Sequence, residues 1–80
     1  MSAGTGVELL TSGQVAGLFR VDAKTVSKWA KAGWLLTTET LGGHYRFFAV
    51  EVAALLRGET PEKARELAEA ERARLAGGTA

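Results

Sequence analysis

Cysteine is absent from the 80-residue chain, and histidine and proline each occur once. Without cysteine there is no disulfide framework, thiolate metal site, redox pair or cysteine nucleophile. One histidine argues against a His-rich metal site, so no metal or other cofactor is expected. No apolar run approaches the roughly 20 residues of a membrane span, and the N-terminus lacks a basic-then-apolar signal pattern; a cytoplasmic protein with no membrane partner is expected. Net charge is also scarce, at +1 with a pI of about 8.2, short of the value above about 9 that marks many nucleic-acid-binding domains. The acid–base side chains are scattered and no nucleophile–base pair falls at helical spacing, so the expectation is binding rather than enzymatic chemistry. What is present, 46% apolar and 24% charged residues, suits one small globular domain.

The distribution of charge says more than its total. Residues 20–46 carry five basic side chains (Arg20, Lys24, Lys28, Lys31, Arg46) against two acids, Asp22 and Glu39, a local +3. Residues 59–80 carry four basic side chains against five acids, a local −1. An acidic C-terminal part thus masks a basic middle.

Along the chain, residues 1–8 read as a flexible N-terminal arm. Thr11 or Ser12 caps a helix reaching about Phe19, with Val15, Ala16, Leu18 and Phe19 at helical spacing. After the link Arg20-Val21-Asp22, Asp22 is a strong N-cap for a second helix over 23–32, and Gly33 is a good stop. On that helix Val26, Trp29, Ala30 and Gly33 share one side; Lys24, Lys28 and Lys31 share the other, flanked by Thr25 and Ser27. Residues 35–47 read as a two-stranded β wing turning at Gly42-Gly43. A third, apolar helix follows over 49–57, stopped by Gly58. Thr60-Pro61 opens a charged C-terminal helix ending at 76, and 77–80 read as a disordered tail. The fold class expected is mostly α with a small two-stranded wing, the binding domain spanning 9–58 and the charged helix 59–76.

Two short helices joined by a three-residue link, the second with a polar outer face, form a helix-turn-helix pattern. An α-helix fits the major groove of double-stranded DNA, and residues near its N-terminus reach base edges. Lys24, Thr25, Ser27 and Lys28 stand at such positions. Lys31 is placed for the phosphate wall, Arg46 on the wing for an adjacent groove or backbone, and Arg20 adds a cation in the link. His44 at the turn edge is either structural or a phosphate donor.

The runs Leu10-Thr11-Ser12-Gly13-Gln14-Val15-Ala16, Phe19-Arg20-Val21-Asp22-Ala23-Lys24-Thr25-Val26, Trp29-Ala30-Lys31-Ala32-Gly33 and Leu41-Gly42-Gly43-His44-Tyr45-Arg46-Phe47 resemble the DNA-binding domain of MerR-type regulators. They most resemble the small stand-alone BldC-type proteins and are similar to the related excisionases. The resemblance covers about residues 9–57. It implies a winged helix-turn-helix that binds double-stranded DNA, with Lys24, Thr25, Ser27, Lys28 and Arg46 at the contacting positions. It further implies no effector domain, and copies bound head-to-tail on direct repeats. Tyr45 and Phe48 stand where the BldC-type wing has arginines, and Trp34 where a lysine is common. Tyr45 and Trp34 either reduce the wing's phosphate affinity or make contacts of their own with sugar, base or a neighbouring copy.

The function expected is a sequence-specific DNA-binding transcriptional regulator. The alternatives are an excisionase or recombination directionality factor that bends attachment-site DNA, and a protein-interaction adaptor with no DNA role. The C-terminal helix is either a solubilising extension or a protein contact through Leu67 and Leu75.

Overall fold

The computed structural model describes residues 6–77. The elements run β1 (Leu9–Leu10), α1 (Ser12–Phe19), α2 (Ala23–Ala32), β2 (Thr37–Glu39), β3 (Tyr45–Phe48), α3 (Ala49–Leu56) and α4 (Pro61–Gly77). The helix pair, the hairpin and the C-terminal helix stand where the sequence places them. The structure is mostly helical with a small antiparallel sheet, as a winged helix-turn-helix requires.

The sheet has three strands rather than two, in the order β1-β3-β2. Leu9 lies opposite Phe48 and Leu10 opposite Phe47, while Thr37, Thr38 and Glu39 pair with Phe47, Arg46 and Tyr45. A bare hairpin is marginal in water, and the added strand covers the inner edge of β3. Val7 and Glu8, within the expected flexible arm over 1–8, are held by the fold. Val7 is buried, at 1% exposure, and Glu8 O accepts the Ala49 N–H at 3.1 Å. That bond satisfies an open donor at the start of α3, where Phe48 offers no side-chain cap. Residues 1–5 of the arm, and 78–80 of the expected tail, lie outside the described residues.

Local chemistry sets the helix ends. Thr11 Oγ1 accepts from Gln14 N at 3.1 Å and Gln14 Oε1 accepts from Thr11 N at 2.8 Å, a reciprocal capping box at α1. Asp22 occupies the N-cap of α2 but makes no side-chain cap bond. Its extended backbone and carbonyl start the helix, accepting from Thr25 N at 3.0 Å. At the other end of α2, Gly33 N donates to Ala30 O at 3.1 Å and Trp34 N to Trp29 O at 2.9 Å, the paired bonds of a Schellman stop. Gly33 has φ +82°, and a Cβ there would meet nothing within 4 Å. Gly33→Ala is therefore a test of backbone strain alone. It should lower stability by about 1–2 kcal/mol, read as a lower urea midpoint with an unchanged slope.

The sheet is covered on both faces, so consecutive residues of β3 are both buried. Phe47 packs with Val15, Ala16, Val26, Leu35 and Val52 under the helix pair. Phe48 packs with Val7 and Ala68 on the other side. The charged helix over 59–76 packs on α3. Ala64 and Ala68 of α4 and Ala54 of α3 are fully buried. Small side chains let the two helices approach; Leu67 is half-buried, and Leu75, also half-buried, packs against the Val7, Phe48 and Ala68 cluster.

Glu51 is the one charged residue of α3 and is 2% exposed. Its Oε1 accepts from Leu36 N at 2.9 Å. Burial pushes its carboxyl above the ordinary 4.5, a rise that the Leu36 bond and the nearby Arg65 only partly offset. The folded state therefore holds this proton more tightly than the unfolded chain does. The resulting stability is full below about pH 4.5 and is lost as pH rises through the raised value. Glu51→Gln lacks this term. Between pH 4.5 and 7 the difference between variant and wild-type urea midpoints should move in favour of Glu51→Gln; a constant difference would contradict the assignment.

Candidate nucleic-acid interface

At 100° per residue, Lys24, Lys28 and Lys31 fall within an arc of about 60° on α2, and Val26 lies nearly opposite. The structure agrees: Val26 is fully buried and all three lysines are exposed. Among the described residues, none of the three takes part in an ion pair. Thr25 and Ser27 flank the stripe and are half-buried, with room for short-range contacts only. The uncapped start of α2 adds open backbone N–H groups and a partial positive charge beside Lys24.

Arg20 closes α1 as a left-handed residue, at φ 60°, and is exposed in the turn. This conformation, unusual for a residue with a Cβ, turns the chain from α1 into α2. The hairpin turn is a three-residue loop, Leu41-Gly42-Gly43, closed by Gly43 N donating to Thr40 O at 2.9 Å and Thr40 N to His44 O at 3.0 Å. Only Gly43 of the two glycines has positive φ, so the turn is the bulged type rather than the two-residue type. Leu41 and His44 stand exposed at its tip.

The wing candidates divide by strand alternation. Arg46 points away from the face that carries Phe47, and its Nη1 donates to Tyr45 O at 3.0 Å. Tyr45 lies half-buried against the core under the helix pair. Phe48 is fully buried, so the residue that departs from the wing pattern fills the second core instead of facing solvent. His44 is exposed, whereas Arg46, on the face of Phe48, is half-buried like Tyr45, so each of the two strand residues offers an edge of its side chain.

Trp29 packs edge-to-face on Phe19 with ring centroids 5.5 Å apart. Trp34 is 68% exposed. It rims an open, mostly apolar cavity of about 610 Å³ whose floor includes Phe19, Trp29, Leu35, Leu55 and Pro61. The cavity opens at the C-terminal end of α2, away from the lysine arc. Sequence reasoning missed it because its walls come from four helices whose packing no local pattern reports.

Among known proteins, the family described as a helix-turn-helix domain matches residues 9–60. None of the curated proteins matches the chain. Among the described residues, no helix is long and apolar enough to cross a membrane.

Proposed function

Because the chain belongs to the helix-turn-helix domain family, a family associated with excisionase-like DNA binding, we propose that it is a sequence-specific double-stranded DNA-binding protein that acts as a transcriptional regulator. In this reading α2 enters the major groove, Lys24, Thr25, Ser27 and Lys28 meet base edges and phosphates, and Lys31 meets the phosphate wall. The hairpin lies beside it, with Arg46 and His44 on the backbone and Tyr45 at the sugar edge; Arg20 approaches the same strand from the turn. The observation that carries the reading is the exposed, unpaired lysine arc opposite buried Val26. The role is one of binding, not catalysis, and needs no effector.

The test is a fluorescence anisotropy titration with genomic double-stranded fragments across a salt series. Log K should fall linearly with log salt, at about 0.9 per phosphate neutralised; salt-independent or absent binding would favour the adaptor role. Arg46→Ala should weaken binding to all sequences alike, by about eightfold at 0.1 M salt, and flatten the slope by about 0.9. Discrimination lost at one base step would instead make the wing a reader of sequence.

The family's excisionase association supports a second reading, a recombination directionality factor. The two differ in what happens to the DNA. A directionality factor bends its site, seen as position-dependent gel mobility; a regulator binds promoter-proximal repeats. In this proposal the resemblance to MerR-type and BldC-type domains implies copies arranged head-to-tail on direct repeats, and footprint length and spacing report that arrangement.

A further inference from the structure

Only residues 33–36 connect α2 to β2, and side chains from outside the helix-turn-helix hold both ends of that connection. Arg65 of α4 donates from Nη2 to Gly33 O at 2.6 Å, at the end of α2. Glu51 of α3 accepts from Leu36 N at 2.9 Å, just before β2. The two side chains meet, with Arg65 Nε 3.5 Å from Glu51 Oε2. Arg65 thereby brings positive charge to the C-terminal carbonyls of α2, where the helix dipole favours it. Glutamate is rarely buried without a partner, and here the partner also grips a second element. The pair is buried on the Glu51 side and 32% exposed on the Arg65 side, and an ion pair taken out of water adds little net stability compared with apolar packing. The bridge ties the end of α2 and the start of the hairpin to the same pair of side chains.

We propose that Glu51 and Arg65 are positioning residues for DNA binding: through Arg65, α4 sets the angle at which the β2–β3 hairpin meets the duplex while α2 lies in the groove. The inference rests on the DNA-binding reading and deepens it. It makes α4 a working part of the interface, though α4 need not touch DNA.

Arg65→Lys tests the bridge without removing charge. An ammonium lacks the planar fork that lets one side chain meet a carboxylate and a carbonyl together. If the bridge aims the hairpin, Arg65→Lys should reproduce the Arg46→Ala defect: affinity lower by about eightfold at 0.1 M salt and a slope flatter by about 0.9. Hydroxyl-radical footprints should lose the hairpin-side protection and keep that of α2. Adding Arg46→Ala should cost little more, because both changes remove one contact. Glu51→Gln, which keeps an acceptor for Leu36 N, should show the same defect at smaller size.

Val52→Ala is the control for stability alone, since Val52 is buried in the core under the helix pair and lies outside the bridge. It should lower the urea midpoint and leave the footprint whole at 10 °C. Additive losses in Arg65→Lys/Arg46→Ala would overturn the proposal in favour of a direct Arg65–phosphate contact. So would wild-type affinity and footprint in Arg65→Lys, or hairpin protection lost equally in Val52→Ala. If the wild-type protein itself binds no duplex, the DNA-binding reading falls and takes this inference with it, an outcome separate from the others.

Discussion

Replacing Lys24, Lys28 and Lys31 together with alanine is expected to lower affinity for double-stranded DNA by about 500-fold at 0.1 M monovalent salt. It should also flatten the dependence of log K on log salt by about 2.7. The magnitude follows from counterion release, in which each neutralised phosphate frees close to one condensed cation. The three side chains are exposed and stand on one arc of α2, so a single docking geometry engages all of them. Alanine is the best helix former, and the replaced stems do not contribute to the core, so folding should survive. Equal urea midpoints for variant and wild type are the check on that premise. Single substitutions then sort the roles. A lysine that meets only phosphate weakens all sequences alike, whereas one that reads a base costs about 1–3 kcal/mol at one step. A triple variant that keeps full affinity and full slope would remove α2 from the interface.

The helix pair was legible because its signals are local. Thr11 before an apolar run, Gly33 after one and the period of Val26, Trp29 and Ala30 each report on neighbours within a turn or two. The lysine arc is equally legible, since helix geometry alone fixes which residues share a face. The Thr11–Gln14 box is also written in the sequence, as a hydroxyl residue with Gln three positions on. Less accessible were features made by residues far apart in sequence. Strand β1 is two residues long and exists only because β3 needs an edge partner, and no two-residue pattern declares that. The α4 seam centres on Ala64 and Ala68, which any helix of high propensity contains; Leu67 and Leu75 are more conspicuous in the sequence yet only half-buried. Glu51 in an otherwise apolar helix was the one available signal for the bridge. Its partner, Arg65, sits among so many charges of α4 that spacing could not single it out.

Phe48→Ala should be the most destabilising single change. Phe48 is fully buried at the end of β3, pairs in register with Leu9, and packs with Val7 of the N-terminal segment and Ala68 of α4. Phe→Ala in such a site costs about 3–5 kcal/mol through lost burial and the cavity left behind. An 80-residue domain has on the order of 4–12 kcal/mol in total, so the loss should lower Tm by roughly 12–40 °C. Leu41→Ala, at the fully exposed hairpin tip, should change stability by less than about 0.5 kcal/mol. The way Phe48→Ala melts matters as much as the size of the effect. Because Phe48 joins the sheet to α4, backbone amides of α4 and of α1–α2 should lose protection in one transition at the lowered midpoint. If α4 instead melts first while residues 9–58 stay folded, it is an appendage after all, and the helix that carries Arg65 could not hold the hairpin's angle.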